Sequence, residues 1–369
     1  MRTIQSLATV VALLASPLLG AEPRSGFTQG TADLKSAGGM CFGPPGVLFI
    51  ADPQASTVFA IDTGDTNSAG SATYKMAKVD ERIGSLLGTS ASEIEIKDVV
   101  VNPSSSQVYF SVARGKGPQA PPVILRLNPQ GEFSEVSLKD CKYAKAVLPD
   151  PSPAAPAAPT AAGRPRRTNP AITGLAFVDG KLYVAALSNE EFASTFRAIP
   201  FPFQDVAKGT TVEIYHGSHG KLETNAPVRT FTAYDINGET NLLAAYTCTP
   251  LVRIPLTDLK PGEKVKGTTI AELGNRNKPL DMIVYQKDGK DFILIANNSR
   301  GVMKVSTDNI DKVEPITAPV RGGGTAGLKY ETIAALKGVE QMDRQDKENA
   351  LVLMRTGSGS LNLETVALP

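Results

Sequence analysis

One pattern recurs six times along this chain and limits its fold more than any other feature. An apolar strand ending in small or polar residues is followed by a loop and a second strand. The copies are "VLFIADPQASTVFAID" from Val47, "QVYFSVARGKGPQAPPVILRLN" from Gln107, "KLYVAALSNEEFASTFRAIP" from Lys181, "NLLAAYTCTPLVRIPL" from Asn241, "FILIANNSRGVMKVS" from Phe292 and "ALVLMRTGSGSLNLETV" from Ala350. A further short apolar strand and a turn precede each copy: "GMCF", "DVVV", "GLAFV", "TFTAY", "DMIVY" and, with a longer charged connection, "TIAAL". The turns use Asp-Gly, Asn-Gly and Asn-Pro, which tolerate positive φ or preset a turn. Several copies end in a polar-alternating strand: "ATYKMAKV", "FSEVSL", "TVEIY", "TTIAEL" and "VEPIT".

Four strands per unit, repeated radially, predict an all-β fold: a six-bladed β-propeller of four-stranded antiparallel blades. One such sheet cannot bury both faces, whereas blade stacked on blade can. The expected blades are 37–80, 96–140, 171–217, 227–273, 279–318 and 331–369, all within a single domain from 22 to 369. The last blade is a strand short at Pro369, so part of 25–36 is expected to close it. About 58 residues per unit exceeds the about 40–50 of compact propeller repeats, and the excess lies in insertions. Residues 146–170 are rich in Pro and Ala and read as a disordered loop. The stretch from Asp80 reads as a short helix, and "RGGGTAG" from Arg321 as a flexible connector.

The units from Val47 and Gln107 resemble YVTN-type and NHL-type propeller repeats, as do "KLYVAALS" and "FILIANNSRGVMKV". The resemblance spans nearly all of the chain after residue 21, at the level of repeat architecture. It implies a binding scaffold or, among six-bladed relatives, a gluconolactonase-like or strictosidine-synthase-like hydrolase with a divalent ion at the channel mouth. No residue role carries over, because fold does not fix function in this class.

In a propeller, the loops between second and third strands share a face with the starts of the innermost strands. Here that face receives Asp52, Arg114, Lys116, Asn189, Glu190, Tyr246, Cys248, Asn297, Asn298, Arg300 and Arg355. Asp98 and Asp281 begin the inner strands of units two and five at equivalent positions, aimed at the channel. Asp98, Asp281, Asn297, Asn189 and Arg300 are the candidate ligand-binding residues. Asp98 and Asp281 are also candidate ligands for a divalent cation such as Ca²⁺, since oxygen donors suit that ion. Against a site stands the plainer account that these groups cap strands and bind channel water.

"EIYHGSHGKLE" (213–223) holds the only two histidines, His216 and His219. As a metal site it would draw on Glu213 or Glu223. Its place between the third and fourth units, with two glycines, favours a solvated loop. "DINGETN" from Asp235 lacks the frame of a calcium loop, and "GGGTAGLK" lacks that of a phosphate loop. The sequence shows no nucleophile elbow, HExxH helix or haem-attachment motif.

A basic Arg2, an apolar run from Leu7 to Ala15, Pro17 and small residues near Ala21 have the order of an export signal over 1–21. That run is too short to span a bilayer. A secreted or periplasmic protein is therefore expected. Lys+Arg 38 against Asp+Glu 37 gives +1, which points away from nucleic acid. Three cysteines are too few for a disulfide scaffold, leave one Cys141–Cys248 bridge open, and place Cys41 in an inner strand. The expected function is a monomeric binding module for a peptide, glycan or small molecule, with the metal-dependent hydrolase as the alternative.

Overall fold

The computed structural model describes residues 22–68, 70, 72–117, 119–149, 172–187, 194–223 and 227–369. The export signal over 1–21, Asn189, Glu190 and nearly all of the Pro/Ala-rich loop lie outside the described residues.

The chain is all-β apart from short helical turns. After β1 (Thr28–Gly30) come β2 (Met40–Phe42), β3 (Val47–Asp52) and β4 (Thr57–Asp62). The two-residue β5 (Lys75–Met76) and α1 (Val79–Leu86) lead to β6 (Ile94–Val101), β7 (Val108–Arg114), β8 (Pro122–Leu127) and β9 (Phe133–Glu135). β10 (Cys141–Val147) precedes β11 (Ile172–Val178), β12 (Lys181–Leu187), β13 (Ser194–Pro200), β14 (Thr210–His216) and β15 (Lys221–Glu223). Next are β16 (Val228–Ile236), β17 (Glu239–Tyr246), β18 (Pro250–Pro255) and β19 (Lys264–Leu273), then β20 (Pro279–Lys287), β21 (Lys290–Asn297) and β22 (Gly301–Ser306). The chain ends with β23 (Thr325–Gly327), β24 (Tyr330–Ile333), β25 (Val339–Arg344), β26 (Asn349–Arg355) and β27 (Leu361–Ala367).

These strands form meanders. The sheets are β1-β10-β4-β3-β2, β6-β7-β8-β9, β20-β21-β22-β24 and β25-β26-β27-β5, with a larger sheet in which β11-β12-β13-β14 and β19-β18-β17-β16 join through parallel β14–β19 pairing. The first strands of the meanders pack in a closed circuit, β2 against β6, β6 against β25, β25 against β20, β20 against β16, β16 against β11, and β11 against β2. Six apolar clusters fill the gaps of the same circuit. Leu48, Ile50 and Tyr109 join the first meander to the second, and Val99, Phe110 and Leu363 join the second to the last. Second strands such as β3 are buried throughout because sheets cover both faces, which explains their unbroken apolar runs.

Spatial order departs from chain order. The second meander stands between the first and the last. The chain leaves β4, crosses to the edge of the last sheet as β5, forms α1 and the second meander, and returns to the edge of the first sheet as β10. α1 buries Val79 and Ile83, carries Asp80 and Glu81 in its first turn, where carboxylates favour the helix dipole, and receives the Leu361 N–H at Asp80.

Three expectations about strand placement are corrected. The N-terminal strand does not close the last blade: β1 pairs with β10 at the edge of the first sheet, Thr28 opposite Tyr143. The free edge of β27 is taken by β5, with Met76 opposite Leu363, so "ATYKMAKV" serves the last sheet and not the first. "TIAAL" does not begin the last meander. Its start belongs to β24 on the outer edge of β22, the place expected for "VEPIT", and the last meander begins with β25. β25 was hidden because its polar residues Gln341, Asp343 and Arg344 line the central cavity, leaving a half-polar pattern, "VEQMDR".

Candidate functional site

The six first strands enclose a cavity of about 1000 Å³. Five of them change register near their start: between Ile96 and Asp98, Ile172 and Gly174, Val228 and Thr230, Pro279 and Asp281, and Val339 and Gln341. A bulge adds one residue to one strand and re-aims the next side chain. Asp98 and Asp281 both directly follow such a bulge, so they occupy equivalent positions, and both line the cavity.

A third carboxylate, Asp343, lines the same cavity. Each acid accepts one N–H from the neighbouring first strand and one from the residue that follows it. Asp98 takes Met40 at 2.6 Å and Val99 at 2.9 Å; Asp343 takes Val101 at 2.8 Å and Arg344 at 2.7 Å; Asp281 takes Met342 and Met282, both at 2.8 Å. Burial inside the ring nevertheless disfavours the charged forms. It pushes Asp98 up to about 7 and Asp343 up to about 6, and it raises Asp281, with the Asp98 charge adding to the effect. Cys41, also on the cavity wall, has its thiol pushed up by burial and by Asp98 and Asp343.

Arg229 is the counterpart of the acids. It is the bulged residue of β16, it lines the cavity, and its Nε is buried with no hydrogen-bond partner. Burial lowers its pKa, the expected direction for a desolvated cation. Neither Asp343 nor Arg229 was singled out by sequence reasoning. The bulge register alone would have flagged Arg229, as the residue before the position of Asp98 and Asp281.

The other candidates are placed differently. Asn297 is 4% exposed and spends its side chain on a turn, accepting from Asn277 at 3.0 Å and donating to the Ile295 carbonyl at 2.9 Å. Arg300 is exposed, lies over Gly274 and donates to the Asn275 carbonyl at 3.3 Å. Asp52 is wholly buried as a cap, taking N–H groups of Lys35, Ser36, Gln54 and Ala55. The three cysteines are free thiols, Cys141 on β10 and Cys248 in the turn after β17.

The histidine segment is not the solvated loop expected. β15 folds back on β14, placing Lys221 opposite His216, and the connecting turn is closed by the His219 and Gly220 N–H groups donating to the His216 carbonyl. The two rings lie 3.9 Å apart, and Glu223 Oε2 bonds Nδ1 of both, with His219 at 3.1 Å. The hydrogen bond from His216 holds the Glu223 carboxyl below its usual range.

No family model matches the chain, and no curated protein matches it. Among solved structures it is similar to the PQQ-bound aldose sugar dehydrogenase from Streptomyces coelicolor, at 12% identity over 92% of this chain and 96% of that one, with a TM-score of 0.34. Virginiamycin B lyase from Staphylococcus aureus shows 11% identity over 93% and 100%, TM-score 0.37. The plexin A4 extracellular region shows 8% over 93% of this chain and 40% of that one, TM-score 0.43. None shares enough sequence for a residue role to carry over.

Proposed function

We propose that the chain is a six-bladed propeller of YVTN/NHL-type units and a binding module for a small polar ligand carrying an anionic group. Arg229 receives the anion, while Asp98, Asp281 and Asp343 hold hydroxyl or amine groups of the same ligand. The closed circuit of first strands and the six apolar clusters support the architecture. The observation that carries the function is the partnerless Arg229 Nε in the cavity that the three acids line. A buried donor without a partner costs about 1–3 kcal/mol, more for a charged group, and a carboxylate or phosphate oxygen removes that cost.

The metal-dependent hydrolase draws less support. Among the described residues, no three His, Cys, Asp or Glu donors converge in the channel. No described helix is long and apolar enough to cross a membrane.

The test is a thermal-shift panel of amino acids, sugar acids and short peptides on wild type and Arg229→Gln, with Ca²⁺ and Mg²⁺ alone as controls. A carboxylate ligand should raise Tm in wild type and not in the variant. Equal shifts in both would sink the reading, and stabilisation by either metal alone would favour the hydrolase.

A further inference from the structure

We propose that His216, His219 and Cys248 form a Zn²⁺ site, apart from the channel and independent of its ligand. One ring nitrogen of each histidine and the Cys248 Sγ lie within 4.8 Å of one another, the only such His/Cys/Asp/Glu group among the described residues. Zn–N of about 2.0–2.1 Å and Zn–S of about 2.3 Å put neighbouring donors within about 4 Å in tetrahedral geometry, so a small contraction completes the site.

An independent observation points to a ligand. His216 is 1% exposed and its Nε2 has no hydrogen-bond partner. Glu223 engages Nδ1 of both rings, which assigns the Nδ1–H tautomer and leaves both Nε2 lone pairs for an ion. A carboxylate behind a ligating imidazole is the usual second partner of a zinc-bound histidine and sets its orientation. Two imidazoles and a thiolate suit a borderline-soft ion such as Zn²⁺ and not Ca²⁺ or Mg²⁺.

The scaffold holds the donors in place. Buried Glu272 accepts the Gly217 N–H at 2.5 Å and the Ser218 hydroxyl at 3.0 Å, fixing the turn between the histidines. A Cβ on Gly217 would meet Val320 at 2.8 Å and Glu272 at 3.0 Å, so no side chain fits there. Cys248 sits at φ 67 in a turn closed by the Thr249 N–H on the Tyr246 carbonyl, and its own N–H donates to the Asn277 carbonyl at 2.8 Å. His219 also lines a cavity of about 750 Å³ with Arg276 and Arg321, a route for the ion and for a water as fourth ligand. Binding converts the Cys248 thiol to a thiolate and releases its proton to solvent.

The experiment uses the full chain, stripped with chelator and titrated with Zn²⁺ and then Co²⁺. Expected are one ion per chain, proton release seen as buffer-dependent heat, and a thiolate-to-Co²⁺ charge-transfer band. Cys248→Ser should abolish that band. His219→Gln, at a side chain 42% exposed and therefore tolerant of change, should weaken binding at least about ten-fold with far-UV circular dichroism unchanged. Glu223→Gln, a positioning change, should keep the band and lose about 10–100-fold in affinity. Failure of wild type to take up either ion, or uptake by Cys248→Ser and His219→Gln equal to that of wild type, would each overturn the proposal.

Discussion

Asp98 on β6 accepts the backbone N–H of Met40 on β2 at 2.6 Å, so a carboxyl of one meander fastens the innermost strand of its neighbour. Asp343 on β25 does the same to Val101 of β6, and Asp281 on β20 to Met342 of β25. Three of the six junctions around the axis thus share one device. A first strand has a neighbour across the axis wall but no ladder to it, and a short acid supplies the missing acceptor.

That device makes stability depend on pH. The ordinary Asp value of 3.8 applies unfolded, while Asp98 and Asp343 titrate near 7 and 6 when folded. Between these limits the folded chain binds more protons than the unfolded one. The contribution of these groups is therefore complete below about pH 4 and is lost as pH rises through 6 and 7. Asp98→Asn keeps an acceptor and removes the titration, so its Tm should fall less than that of wild type between pH 4.5 and 7.5. Parallel curves for the two proteins would remove Asp98 from the account.

Asp65 ties the first meander to the second. It is 7% exposed and accepts from Asn102 at 2.8 Å, Ser105 at 2.7 Å, Gln107 at 2.8 Å and the Tyr109 hydroxyl at 2.9 Å. Asp65→Ala strands several donors at once and should cost about 3 kcal/mol or more in urea unfolding. Gln107→Ala removes one half-buried donor and should cost about 1 kcal/mol. If both variants lose the same amount, the hub role fails.

Much of this arrangement could be read from the sequence, and the exceptions have physical causes. The buried second strands announced themselves as unbroken apolar runs such as "VLFIA", because sheets cover both their faces. Asp98 and Asp281 emerged by comparing repeat positions. Asp343 did not, since β25 is half polar where it meets the channel. β5 is two residues long and carries no period to detect. The histidines were read as a solvated loop because Gly217 and Gly220 signalled looseness, whereas Glu272, 55 residues away from Gly217, turns that segment into a fixed reversal.

Closure of the last sheet rests on Thr365. Its hydroxyl accepts the Tyr74 N–H at 2.8 Å and donates to Gln345 Oε1 at 2.6 Å, while its own N–H donates to the Tyr74 carbonyl at 2.8 Å. Thr365→Val keeps the shape and deletes the hydroxyl, leaving the Tyr74 N–H and buried Gln345 each short of a partner. Chemical denaturation should show a loss of about 1–3 kcal/mol. Hydrogen exchange should show the Met76 amide opening faster. An unchanged exchange rate there would mean β5 is held by packing alone.

Gly338 controls the entry to the strand that carries Asp343. Its φ is +91°, and a Cβ there would lie 2.5 Å from the Arg355 carbonyl oxygen, a backbone atom with nowhere to move. The Arg355 N–H donates to the Gly338 carbonyl at 2.8 Å, so the same contact aligns β25 with β26. Gly338→Ala combines left-handed strain with that clash and should destabilise by about 2 kcal/mol or more. Gly357 lies in the turn that follows Arg355, at the same end of β26, where an added Cβ meets nothing within 4 Å and the φ is not left-handed. Gly357→Ala should stay within about 0.5 kcal/mol of wild type. The pair separates strain at one glycine from a general intolerance of that hairpin: equal losses in the two variants would refute the assignment to Gly338.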